Sequence, residues 1–377
     1  MTDAPMLDWT DPNGQTHSAL WRSIAALPLP RRVRLADDQL KADDAYRLAC
    51  EGTALLWQGD FHNARQLLQA MARRADRKPR KQAATPSEAF HLHRQAQAQR
   101  ARTLAMLLIP LDADYGIPLK RAPDVRQACL EAYGQASGPS VTSLRELQGL
   151  IGAHEWRKKG VEVPAAGGRI HAHHGVFSPN RGEYIELLAQ APLPSLDLAF
   201  DIGTGTGVLA AVLARRGVKH IVATDQDPRA LACAADNLGR LGLAGQVTLQ
   251  QVDLFPAGRA PLIVCNPPWV PARPSSPIEY AVYDPDSRML LGFLNGLAAH
   301  LTPEGEGWLI ISDLAEHLGL RPRSVLEAAF ERAGLKVIAR LDIRPRHPKV
   351  SDPDDPLHTA RAAEITSLWR LGPQTPG

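Results

Sequence analysis

One heptapeptide constrains this chain more than any other feature: Asp201-Ile202-Gly203-Thr204-Gly205-Thr206-Gly207, which follows the strand-like segment Leu196-Asp197-Leu198-Ala199-Phe200 and leads at once into an apolar helix. A strand, a turn with glycine at alternate positions and an immediate helix describe the first unit of an open parallel sheet, because glycine lets the backbone turn tightly and approach a ligand with no Cβ in the way. Ligands of such sheets lie at the carboxyl ends of the strands. The spacing also discriminates. A dinucleotide fingerprint needs G-x-G-x-x-G, and Val208 stands where its third glycine would be. A carboxylate two residues before the first glycine would repel a pyrophosphate on the helix N-terminus. A ligand carrying a cationic amine fits this turn better. Asp225, at the end of the next strand, stands where an acid can take ribose hydroxyls.

The flanking pattern supports the same sheet. Helices are expected over 182–190, 207–216, from Pro228, 286–301 and 322–333. Strands are expected over 196–202, 219–224, 246–252, 261–265, 307–312 and near 335–342 and 363–370. Alternation of this kind predicts a mostly parallel α/β sheet with helices on both faces, closed at one edge by an antiparallel hairpin of the last two strands. Ahead of it, Gly160 to Ser178 reads as a hairpin turning at Gly167-Gly168.

The first half shows helical spacing over 42–58, 61–75 and 87–109, and lacks clear strand patterns. Gly134 to Pro139 reads as a linker, and a helix with a capping-box pattern starts at Ser143. At 377 residues the chain exceeds ordinary single-domain size. The expected division is therefore a mainly helical domain over 1–150 and an α/β domain over 151–377.

The second motif is Asn266-Pro267-Pro268-Trp269, directly after the apolar strand Leu262-Ile263-Val264-Cys265. Two prolines stop the sheet and stiffen the backbone, aiming the preceding groups outward at the edge that the glycine turn occupies. An amide or nucleobase amine is a poor nucleophile because its lone pair is delocalised into a π system. Acceptors at its two N–H bonds orient that lone pair, and the Asn266 side-chain carbonyl and the Pro267 backbone carbonyl can supply them. Trp269 offers a flat surface for a planar group. Alignment of this kind can supply most of an acceleration without a strong base.

With both motifs in place, the sequence resembles the class I S-adenosylmethionine-dependent methyltransferases over about 160 to 371. It is most similar to their small-domain group, which holds the HemK-type release-factor glutamine methyltransferases and adenine-N6 and guanine-N2 RNA enzymes. The resemblance implies a Rossmann-like seven-stranded methyltransferase sheet, mostly parallel with the last strand antiparallel, and S-adenosyl-L-methionine as cofactor. It further implies that Asp201, Gly203, Thr204, Gly205 and Gly207 hold the methionine part and Asp225 the ribose, with Asp253 beside the adenine. Phe177, in His174-Gly175-Val176-Phe177-Ser178-Pro179, would cover the cofactor. Asn266, Pro267, Pro268 and Trp269 match the catalytic [ND]-P-P-[YFW] motif. Tyrosine or phenylalanine is commoner than tryptophan at the last position in HemK-type enzymes. The N-terminal region is longer than the usual HemK helical domain, and the basic segment Arg344 to Lys349 has no counterpart in the family pattern.

The lead expectation is a protein glutamine-N5 methyltransferase acting on a release factor or ribosomal protein. The alternative is methylation of structured RNA at adenine N6 or guanine N2, which would need an unpaired or flipped base. A third reading, from another class, is a cofactor-binding protein without turnover. Between His62 and Arg102, ten basic residues (Arg65, Arg73, Arg74, Arg77, Lys78, Arg80, Lys81, Arg94, Arg100, Arg102) face only Asp76 and Glu88, which makes either an RNA-facing patch or a solvated helix face. His171 and His173 alternate with no carboxylate or cysteine nearby to complete a metal site, and no metal is expected. Cys50, Cys129, Cys233 and Cys265 are scattered with no CxxC pair, the start lacks signal-peptide order, and no apolar run approaches the roughly 18 residues of a membrane span. These features lead to the expectation of a cytoplasmic protein that does not enter a membrane.

Overall fold

The computed structural model describes residues 5–77, 81–180, 182–274, 277–346 and 350–374. They fall into two compact units. The first comprises Met1–Gln82 and His91–Glu155, the second Ala83–Phe90 and Trp156–Gly377.

The first unit holds strands β1 (Met6–Thr10), β2 (Thr16–Arg22), β3 (Arg32–Ala36), β4 (Thr53–Trp57), β5 (Leu107–Leu111) and β6 (Ser140–Ser143), with helices α1 (Ala42–Cys50), α2 (Phe61–Asp76), most of α3 (Pro86–Leu104), α4 (Arg126–Tyr133) and the larger part of α5 (Leu144–Lys159). Helical residues outweigh strand residues, as the spacing predicts. The helices, however, flank a six-stranded sheet of order β1-β2-β6-β5-β4-β3 that corrects the expectation of a first half without strands. The physical reason is visible in β4. Leu55 and Trp57 enter one core cluster while Ala54 and Leu56 enter the cluster on the opposite face. A strand buried on both faces shows a continuous apolar run, not alternation, and such a run extends a helical pattern just before it. The expected helix 42–58 thus resolves into α1 and β4, separated at Gly52 with φ +80°. In the same way 87–109 resolves into α3 and the start of β5. The segment 134–139, expected as a linker, joins α4 to β6 within this unit.

The second unit follows the expected plan. Strands β7 (Val161–Val163) and β8 (Gly168–Ile170) form a hairpin shorter than the sequence suggests, so His171 and His173 lie beyond it. Then come α6 (Glu183–Gln190), β9 (Leu198–Ile202), α7 (Val208–Arg215), β10 (His220–Asp225), α8 (Pro228–Arg240), β11 (Val247–Gln251), β12 (Ala260–Cys265), α9 (Arg288–His300), β13 (Leu301–Ser312), α10 (Leu314–His317), α11 (Arg323–Arg332), β14 (Leu335–Ile343), α12 (His358–Ala363) and β15 (Thr366–Pro373). The sheet order is β11-β10-β9-β12-β13-β15-β14. Pairs from β11 to β13 are parallel, and β15 runs antiparallel to both β13 and β14. The antiparallel edge pair is as expected, but the short helix α12 interrupts its connection. Along β12, Leu262 and Val264 enter the core on one face and Ile263 and Cys265 the core on the other. Strand order reverses beside β9, so the crevice between the carboxyl ends of β9 and β12 is the switch point at which open α/β sheets bind ligands.

Among the described residues, no helix is long and apolar enough to cross a membrane.

Candidate active site

β9 and β12 are parallel neighbours with Ile202 opposite Cys265. The next residue on each strand is Gly203 and Asn266, so the glycine turn and the Asn-Pro-Pro-Trp loop leave the same edge of the sheet side by side.

The turn is closed by its own hydrogen bonds. The N–H groups of Gly203 and Thr204 both donate to the Thr224 carbonyl at 2.9 and 2.8 Å, and that of Gly205 donates to Asp225 Oδ2 at 3.1 Å. Three successive backbone donors are thereby consumed at the end of β10, which disfavours the anion-cradling use of a glycine loop. Gly203 has φ +72°, and a Cβ there would lie 2.5 Å from the Met289 methyl group of α9. Gly205 has φ +55° and would direct a Cβ into open space. The first glycine is thus demanded by packing as well as by backbone conformation. The second leaves its side open for a ligand to approach.

Asp201 is fully buried at the end of β9. Its Oδ2 accepts from the Thr204 hydroxyl at 2.6 Å and from the Ala210 N–H at 3.2 Å, while its Oδ1 has no protein partner. Burial, outweighing those hydrogen bonds, pushes this carboxyl up to about 6. A buried acceptor without a donor is costly, and a cationic amine or N–H from a ligand would satisfy it. Asp225 is partly buried, and burial raises its pKa as well. Its Oδ1 accepts from the Asp227 N–H at 2.9 Å, so both oxygens brace the turn and the entry to α8. This donor and acceptor set fits S-adenosylmethionine: an orphan carboxylate oxygen for the amine, an open glycine for the methionine chain and an acid at the second strand end for the ribose.

The remaining sequence-predicted residues are placed as follows. Asp253, two residues past β11, is exposed and paired with Arg288 at 2.8 Å. Phe177 is 37% exposed in the segment after β8. That segment approaches the start of α8, where a Cβ on Gly175 would lie 3.4 Å from Arg229. Pro267 is buried, and Asn266, Pro268 and Trp269 are partly buried. Asn266 Oδ1 accepts from the Trp269 indole N–H at 2.9 Å. Cys265 is completely buried and its thiol pKa is raised by desolvation, which keeps it in the protonated, non-nucleophilic form. His171 Nδ1 donates to the Arg157 carbonyl and His173 Nε2 to Asp236, and the His173 N–H donates to Cys233 Sγ, so a carboxylate and a cysteine do lie near, contrary to the sequence expectation. Among the described residues, no group of three or more His, Cys, Asp or Glu is arranged to hold a metal ion. In the basic segment, the Arg346 backbone N–H donates to Glu183 and its guanidinium pairs with Glu186, while His347, Pro348 and Lys349 lie outside the described residues.

Three further residues support the site, and of these Asn237 and Arg321 escape a reading of the sequence. Asn237 is fully buried on α8. Its amide donates to the Thr206 carbonyl of the turn and its Oδ1 accepts from the His171 N–H, tying the turn to the segment after β8. A single polar residue on the apolar stripe of α8 was its only signal. Asp284 is buried and accepts from the Met289 and Leu290 N–H groups, capping the helix that packs on Gly203. Arg321, 7% exposed between α10 and α11, donates to the Trp269 carbonyl and to the Ser287 hydroxyl. Nothing in its local sequence marks it.

Known proteins align with this region. The methyltransferase small domain family matches residues 167–338. A release factor glutamine methyltransferase of Cereibacter sphaeroides is 31% identical over 194 residues, covering 48% of this chain and 68% of the relative. A ribosomal protein uL3 glutamine methyltransferase of Bordetella pertussis is 37% identical over 114 residues, 28% of this chain and 38% of the relative. A ribosomal protein L11 methyltransferase of Pelotomaculum thermopropionicum is 48% identical over 69 residues, 18% of this chain and 22% of the relative.

Proposed function

We infer the reaction from one premise: the chain belongs to the class I S-adenosylmethionine-dependent methyltransferases of the HemK type. The acceptor is a planar nitrogen of a macromolecule, and the reading best supported is the side-chain amide of a protein glutamine. The register that sets Asn266 beside Gly203 carries the methyl-transfer reading, and the glutamine methyltransferases among the relatives favour the amide. S-adenosylmethionine supplies, when bound, an electrophilic methyl group on a sulfonium. Asp201, with Gly203, Thr204, Gly205 and Gly207, would hold its amino-acid end, Asp225 its ribose and Asp253 the neighbourhood of the adenine, with Phe177 as a cover. Thr204 acts through Asp201, whose ionised form its hydroxyl favours. At the acceptor, the Asn266 and Pro267 carbonyls take the two N–H bonds of the amide and turn its lone pair towards the glycine edge. Trp269 lines the same loop. Preorganised acceptors of this kind work by orientation and electrostatics and ask for no strong base.

RNA methylation at adenine N6 or guanine N2 remains the second reading, favoured by one face of α2. Arg65 and Arg73 are exposed on α2 and Arg77 at its C-cap, so their charges follow one inclined ridge of the helix surface. Of the ten cations, Arg74 is engaged in an ion pair with Asp43 and Arg100 in one with Asp76, and Lys78 and Arg80 lie outside the described residues. A cofactor-binding protein without turnover is disfavoured by the intact Asn266 loop. The first unit serves, in this proposal, to dock the substrate. Labelled cofactor given with the purified protein to a lysate of cells lacking it decides among these. Label removed by protease supports the glutamine reading, label removed by nuclease replaces it with the RNA reading, and no label in either fraction overturns both.

The same site predicts a pH dependence. A cationic amine beside Asp201 favours the ionised carboxylate, so the cofactor binds the deprotonated form. Its affinity is expected to be level above about pH 6 and to weaken about tenfold per unit below it, as one proton must be expelled on binding. In the free protein the sign is opposite: the folded state holds a proton that the unfolded chain has released between the ordinary carboxylate range and about 6, so this group's contribution to stability falls as pH rises through that window. Titration calorimetry between pH 5 and 8 measures the first effect, and an Asp201→Asn variant that kept the same slope would remove Asp201 as its origin.

A further inference from the structure

The indole N–H of Trp269 is occupied by the group assigned to the substrate, Asn266 Oδ1, at 2.9 Å. A carbonyl oxygen has two lone pairs, so this bond leaves one free for an incoming N–H. Its consequence lies in the choice between the two ends of the Asn266 amide. Oxygen and NH2 are nearly the same size, and a half-turn of the side chain would present two donors where the substrate's own N–H requires an acceptor. The indole nitrogen can only donate. It therefore accepts one orientation of Asn266 and opposes the other with two facing N–H groups.

Trp269 is well placed to impose that choice because it is itself held. Its ring packs against three core clusters of the second unit. Its backbone carbonyl is clamped by the buried Arg321 guanidinium at 3.2 Å, and the next residue, Val270, is buried and paired with Tyr283. Phenylalanine has no polar edge, and the tyrosine hydroxyl sits at the far end of its ring. Neither reproduces a donor at the indole position.

We propose that Trp269 is a positioning residue whose indole N–H fixes the Asn266 amide with its oxygen towards the acceptor nitrogen. This rests on the methyl-transfer reading above. It separates Trp269 from a purely stacking role, because the donor and the flat face can be removed independently.

The test is a cycle of four proteins assayed on the fraction that wild type labels: wild type, Trp269→Phe, Asn266→Asp and the double variant. Trp269→Phe keeps an apolar ring and loses the donor. It is expected to lower kcat about tenfold, with KM for the acceptor and Kd for the cofactor within about twofold. A carboxylate offers an acceptor at either end, so orientation ceases to matter, and in the Asn266→Asp background the same change should cost less than about twofold. An equal loss in both backgrounds, or Trp269→Phe as active as wild type, overturns the proposal while leaving the methyltransferase reading intact. Should Asn266→Asp be silent, the split in Trp269→Phe decides alone: a loss in kcat supports the proposal, and a loss in cofactor binding or KM overturns it. A wild type that labels nothing overturns the parent reading and this inference together.

Discussion

Replacing Asn266 by alanine is expected to lower methyl transfer by about 10²–10³-fold while leaving cofactor affinity within about twofold of wild type. Asn266 is the first residue past β12, and it is fixed by the strand behind it and the prolines after it. Alanine removes the carbonyl that accepts from Trp269 and, in the proposed complex, from the acceptor nitrogen. The cofactor side of the pocket is built from β9, β10 and their turns, none of which loses a contact. The loss should therefore appear in the rate of a single turnover with cofactor prebound, and calorimetric titration should show an unchanged site. Comparable turnover by the two proteins would remove Asn266 from the chemistry.

Asp225→Ala is expected to produce the opposite division. Cofactor affinity should fall about 100-fold, close to 2.7 kcal/mol, through lost charge-assisted hydrogen bonds to hydroxyls. Part of that loss comes from the protein itself. Asp225 Oδ2 accepts from the Gly205 N–H and its Oδ1 from the Asp227 N–H, so alanine removes the partner of one backbone donor in the turn and of another at the entry to α8. At saturating cofactor, kcat should recover to within about threefold, because the acceptor loop is untouched. A variant that binds as tightly as wild type would show that Asp225 only shapes the turn.

The second unit was legible because its strands and helices alternate and its chemistry sits in two short contiguous motifs. Glycines at 203, 205 and 207 and the run from Asn266 to Trp269 carry their signal locally. The register of β9 against β12 then needs only the rule that ligands gather at strand carboxyl ends. What escaped reading has a different physical character. Arg321 reaches the Trp269 carbonyl across 52 positions of chain, and Asn237 reaches His171 across 66. Such partners are made by tertiary packing and leave no periodic trace. The sheet of the first unit escaped for another reason: β4 and β5 are apolar on both faces and follow helices closely, so nothing alternates and the helical pattern runs through them. Asp253 was read as a cofactor-side acid, and its pairing with Arg288 could not be inferred from spacing.

Residues 83–90 carry one more consequence. They belong by contact to the second unit, where Phe90 is 3% exposed among Val270, Leu314, Leu318 and Leu357, yet sequence on either side of them belongs to the first. The chain thus passes from one unit to the other three times, and the two cannot be parted by a single cut. A protein started at residue 151 would lack the aromatic plug beside Val270, the neighbour of Trp269, and would expose an oily hollow under its own acceptor loop. An intact acceptor loop therefore calls for residues 83–90 as well as for the C-terminal run that carries both motifs.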